Sequence, residues 1–222
     1  MDAHVPERLD AHVPERLDEL PDGRPSLMLG DVPGDALLNH RQGDNPEHFQ
    51  GDCGLVSVED VLRQFRARVT EADVVTHAIQ RSECQADPAA PDQSGGTQPS
   101  QDAQILADYG VPAQVKSGQT MEQLAVLVEQ GRGVIIGVNC GVLWQIPADV
   151  GDGSVNHAVT VTGVALDPHG DGIQGFYIND SGNGKSAEFV GTVLMRVAWQ
   201  DAGGWTVVTS AAHPEPASRA DT

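Results

Sequence analysis

The apolar residues of this 222-residue chain change period once along its length, and that change limits the fold more than any other feature. In the first half they recur at helical spacing, with Leu55, Val58, Val61, Leu62 and Phe65 following directly on Gly51-Asp52-Cys53-Gly54. Thr70 with Asp73 predicts a capping-box start for a helix through Ile79. Ile105–Tyr109 ends a short helix at Gly110. Thr120 with Gln123 caps another, with Leu124, Leu127 and Val128 on one face and Gly131 as its stop. Gln85–Gln101 reads as a Pro/Ser/Gly-rich loop. From Val134 onward the runs are rich in Val, Ile, Thr and aromatics, so Val134–Val138, His157–Leu166, Gly175–Asp180 and Trp205–Thr209 read as strands. Helices precede strands, which predicts an α+β fold with an antiparallel sheet.

The ends do not share this pattern. Asp2–Leu9 (DAHVPERL) returns unchanged as Asp10–Leu17, a unit too short to stack as a solenoid. Prolines from Pro6 to Pro46 argue against a long helix in the same stretch. The reading is a flexible acidic arm over residues 1–29, a domain over 30–210 and a disordered polar tail over 211–222.

Thirteen Lys and Arg against 32 Asp and Glu give a formal charge of −19. Such a surface repels phosphate backbones and anionic lipid, so neither nucleic acid nor a membrane surface is an expected partner. No apolar run reaches the roughly 18 residues of a spanning helix, and the first residues carry no Sec-type signal pattern. The expected location is the cytoplasm, or outside the cell by a route without such a signal. Three cysteines with no CxxC spacing fit neither a disulfide framework nor a zinc finger, and a free, reactive thiol is the better reading. No cofactor and no metal are expected.

Cys53 lies where a Gly/Asp turn meets an amphipathic helix, so its sulfur belongs at a helix N-terminus. There the macrodipole and free amides favour thiolate and can also cradle an oxyanion. The plainer reading of a free cysteine is a small buried apolar residue. A thiol nucleophile needs a base held by a third group. His4, His12, His40 and His213 lie near the ends, His169 in a turn and His77 on a polar helix. His157 instead opens the strand Ala158–Val164. The return strand brings Asn179 and Asp180 back near its level. Strand parity puts Phe176, Ile178 and Asp180 on one face and Tyr177 and Asn179 on the other, which favours Asp180 as the orienter over Asn179. Cys84 and Cys140 read as core or rim residues. Trp144 and Trp205 read as packing residues, Trp144 being the better candidate for a groove.

Taken together, these residues resemble the papain-like cysteine peptidases: Cys heading a helix, His opening a strand, Asp or Asn on the next. Gln50-Gly51-Asp52-Cys53-Gly54 is similar to a shortened calpain-type segment. Asn156-His157-Ala158-Val159 is similar to the histidine strand of papain-like and bacteriocin-processing double-glycine peptidases. Asp180-Ser181-Gly182 resembles the stretch that follows. The resemblance covers about residues 49–182. It implies a papain-like fold and a cysteine hydrolase of a bacterial kind acting on a peptide or protein substrate. Cys53, His157 and Asp180 would be its triad. In the family the oxyanion-hole Gln stands six residues before the Cys, where this chain has Glu47. Gln50, three before, or backbone amides would serve instead, with His48 nearby. A deamidase or acyl-transferring toxin or effector shares the constellation, and a non-catalytic papain-fold interaction module is the alternative from another class.

Overall fold

The computed structural model describes residues 13–170 and 172–214. Its strands are β1 (Glu15–Glu19), β2 (Pro25–Leu29), β3 (Ala113–Lys116), β4 (Arg132–Val138), β5 (His157–Leu166), β6 (Ile173–Asp180), β7 (Lys185–Gly191) and β8 (Thr206–Ala212). Its helices are α1 (Val32–Asp35), α2 (Cys53–Gln64), α3 (Glu71–Arg81), α4 (Pro99–Asp108), α5 (Met121–Glu129), α6 (Cys140–Leu143) and α7 (Thr192–Met195). Local chemistry sets the helix starts. Thr70 accepts from the Asp73 amide and Asp73 answers to the Thr70 amide. Thr120 and Gln123 close the same box on α5. The loop expected over 85–101 gives way to α4 at Pro99, where proline's missing N–H costs nothing.

All strand pairs are antiparallel, running β3-β8-β4-β5-β6-β7. β5 is the hub. One edge takes β6, and the other is shared: β4 pairs with its first half, His157 to Val161, and β2 with its end, Val164 to Leu166. Period-2 alternation divides the core between the two faces. Val134, Ile136 and Val138 join Leu124, Val128 and Trp199 on one side. Ile135 and Val207 join Leu55, Leu62, Val74 and Ile105 of α2–α4 on the other. Among the described residues no helix is long and apolar enough to cross a membrane.

The boundary expected at residue 30 falls inside the sheet. β1 and β2 form a hairpin in register Glu15↔Leu29 to Glu19↔Pro25, and Leu27–Leu29 pair with β5. Val13, Leu20, Met28 and Leu29 are buried. The stretch reads as an arm because β1 is an outer strand with charged Arg16 and Asp18, which blunt an edge and hide the apolar pattern. At the other end β8 continues to Ala212, past the expected tail boundary at 211. The first octapeptide copy and residues 215–222 lie outside the described residues.

Candidate active site

Cys53 is the first residue of α2 and is half-buried, and Asp52 before it is fully buried at the N-cap. The second helical position must be Gly54. A Cβ there would stand 2.1 Å from Thr97 Oγ1 and 2.9 Å from Asp102 Oδ1, so any side chain would push the first turn of α2 off the start of α4. On the sheet, the register pairs Val161 with Ile178 and Thr160 with Asn179. Asp180 therefore shares a face with Ile178 and lies one step along from it towards His157. The imidazole Nε2 and Asp180 Oδ1 are 2.8 Å apart, and both side chains are buried. Asp180 Oδ1 also accepts from the Gly182 and Asn183 amides at 2.9 and 3.3 Å, and Oδ2 from Trp144 Nε1 at 2.7 Å. The Trp144 ring lies 5.2 Å from the His157 ring. Gly182 makes room for both rings, since a Cβ there would stand 2.8 Å from Trp144 and 2.9 Å from His157 Cε1.

With Nε2 given to Asp180, Nδ1 is the nitrogen left for sulfur, and the imidazole and the Ala158 amide both act on the Cys53 thiol. Burial pushes the Cys53 thiol up, but the bond and charge of His157 and the Ala158 amide outweigh it and hold the thiol below its ordinary value. Burial works against imidazolium, yet Asp180 and then Cys53 raise His157 to about 10. Asp180 is likewise penalised by burial and held low by His157 and Trp144. All three shifts lean towards thiolate, imidazolium and carboxylate. The other two thiols move the opposite way: burial pushes Cys84 up to about 11 and raises Cys140.

The geometry thus brings Cys53, His157 and Asp180 together and sends Asn179 elsewhere. Asn179 Nδ2 donates to Asp35 O at 2.9 Å and to Asp60 Oδ2 at 3.2 Å, and its Oδ1 accepts from the Ala187 amide, so it ties α2 to the sheet. Gln50 is exposed, and its amide lies over Gly43, Nε2 standing 2.6 Å from where a Gly43 Cβ would be. His48 is exposed with φ 58°. Cys140 opens α6, its amide donating to Asn156 Oδ1 at 2.8 Å. The bond from Trp144 to Asp180 is a site feature the sequence reading missed. The residues stand 36 apart, and no local pattern links them.

Asp52 and Asp102 add buried carboxyls behind the nucleophile. Burial and the neighbouring Glu71 raise Asp52 to about 8, and burial raises Asp102 to about 7. Asn45 Nδ2 bridges Asp52 and Glu71 at 3.1 and 2.7 Å. As for metals, His77, Glu83 and Asp108 bring three ligand atoms within 4.8 Å of one another, the one such group among the described residues. Arg81 ion-pairs with both acids, so part of the negative charge there is already offset.

No protein-family model matches this chain, and no curated protein matches it. A solved structure described as a C39-like peptidase from Bacillus anthracis is similar over 79% of this chain and 99% of its own, at 14% identity and a TM-score of 0.48.

Proposed function

We propose that this protein is a cysteine hydrolase that cleaves a peptide or side-chain amide bond through Cys53, His157 and Asp180. One observation carries the reading: a buried imidazole is held by a carboxylate on Nε2 at 2.8 Å, and that imidazole acts on the thiol that heads α2. A structural cysteine has no need of that arrangement, and the opposite shifts of Cys84 and Cys140 mark the contrast.

In the proposed cycle the Cys53 thiolate attacks the carbonyl carbon. The resulting oxyanion is met by the Cys53 main-chain N–H, with Gln50 retained as the side-chain donor on its sequence position alone. His157 gives its Nδ1 proton to the departing amine as the C–N bond breaks, leaving a thioester on Cys53. Water then loses a proton to Nδ1, adds to the thioester carbonyl and releases the acid and the thiolate. Asp180 accepts from Nε2–H throughout and keeps Nδ1 turned to the sulfur. A free peptide, a protein side-chain amide and an amine acceptor in place of water all fit this chemistry.

The test combines an amide-substrate panel with trapping of the acyl-enzyme on acid quench. Hydrolysis should come with a thioester adduct on the Cys53 peptide, and Cys53→Ala should abolish both while leaving thermal unfolding unchanged. Turnover that survives in Cys53→Ala overturns the reading. A thiol as inert as Cys84 would point instead to a non-catalytic interaction module.

A further inference from the structure

Cys53 and Asp180 reach the site on elements that do not pair with each other. α2 packs on one face of the sheet, and Asp180 ends a strand whose neighbours are β5 and β7. Nor is the approach to α2 fixed from within the helix, because Asp52 at its N-cap makes no capping hydrogen bond. Something must set the spacing between the two segments, since displacement of about 1 Å can cost a catalytic pair about 10²-fold.

Gln42 spans that gap. Its main-chain N–H donates to Ser181 O at 3.1 Å, and its side-chain Oε1 accepts from Ser181 Oγ at 3.0 Å. The same amide group donates through Nε2 to the main-chain oxygen of Gln50. The two polar atoms of one side-chain amide are therefore tied to different segments, Oε1 to the residue after Asp180 and Nε2 to the segment three residues before Cys53. Ser181 is buried, and the loop it belongs to wraps Asp180 Oδ1 with the Gly182 and Asn183 amides. On its far side the nucleophile segment is pinned by Gly51 N–H to Ser94 O at 2.8 Å.

We propose that Gln42 is a positioning residue of this site, a strap that sets the distance between the Cys53 turn and the Asp180 loop and so holds the thiolate–imidazolium pair in register. The inference rests on the Cys53–His157–Asp180 reading and assigns Gln42 no contact with substrate.

The test is the pH dependence of Cys53 alkylation by iodoacetamide in the full chain, read at the Cys53 peptide by mass spectrometry so that Cys84 and Cys140 do not interfere. The unsubstituted protein should alkylate below the range of an ordinary thiol. Gln42→Ala should move the acid limb up by about one pH unit and slow alkylation at pH 6.5 about tenfold. Gln42→Glu keeps the length and the acceptor for Ser181 Oγ but loses the donor to Gln50, and should move the limb the same way even if Gln42→Ala folds poorly. Ser181→Ala should give a smaller shift, and the double variant no more than Gln42→Ala alone, as two ends of one strap require. A depressed limb that neither Gln42 variant moves, whatever happens to thermal unfolding, overturns the strap alone. An ordinary thiol profile in the unsubstituted protein overturns the catalytic pair and the strap with it.

Discussion

The indole Nε1–H of Trp144 donates to Asp180 Oδ2 at 2.7 Å, leaving Oδ1 to face His157 Nε2 at 2.8 Å. The two oxygens of one buried carboxylate are thus divided between a tryptophan that fixes its plane and the histidine that it orients. The Gly182 and Asn183 amides hold Oδ1 as well, and the indole adds the bond on Oδ2 that fixes the plane of the carboxylate.

Trp144→Phe removes that hydrogen bond and keeps an aromatic ring beside His157. The loss of a bond to a charged group should cost about 1 to 2 kcal/mol of transition-state stabilisation, roughly five- to thirtyfold in kcat/KM, with the fold intact. Trp144→Ala should cost more, because it also opens His157 to water. Steady-state kinetics with thermal unfolding as a control would check both.

Asp180→Ala and Asn179→Ala should damage different properties. Losing Asp180 frees the imidazole to turn its wrong nitrogen to the sulfur, and up to about 10⁴-fold of kcat is at stake. Losing Asn179 leaves Asp60, Asp35 O and the Ala187 amide without their partner. That should lower stability by about 1 to 3 kcal/mol and spare turnover per folded molecule. Denaturant titration alongside kinetics separates the two, and the reverse pattern would exchange their roles.

Stability should be greatest in mild acid. Burial raises Asp35, Asp60 and Asp102 to about 7 and Asp52 to about 8, so the folded protein holds protons that the unfolded chain releases near pH 4. Between those limits the native state binds more protons, and stability falls as pH rises through 7 to 8. His157, raised to about 10, adds a contribution that is complete below about 6.5 and fades as pH climbs towards 10. Asp180, held low, works in the other direction and sets the loss in strong acid. The midpoint of thermal unfolding should drop by several degrees from pH 6 to pH 9. Asp102→Asn, which cannot ionise, should flatten that slope.

Basic peptides should be cut faster than acidic ones. The loop before His157 exposes Asp149 and Asp152, and the whole chain carries −19. Like-charge approach slows association, and salt screens it. Matched basic, neutral and acidic substrates at two ionic strengths should show an advantage for Lys or Arg near the scissile bond that shrinks with salt. Asp149→Asn with Asp152→Asn should reduce it.

What the sequence determined by itself is what a few neighbouring residues can encode. The capping boxes at Thr70 and Thr120 start their helices because donor and acceptor lie three residues apart. Cys53 heads α2 because the apolar period begins there, and Asp180 parts from Asn179 because side chains alternate along a strand. Tertiary structure decided which segments meet. The β1–β2 hairpin is held by pairing Leu27–Leu29 with the far end of β5, more than 130 residues on, and charged Arg16 and Asp18 on its outer strand erase the local sign. Gln42 finds Ser181 across 139 residues, and Trp144 finds Asp180 across 36. Such contacts follow from how the sheet closes, because a polar side chain satisfies its hydrogen bonds with whatever the packed core brings beside it.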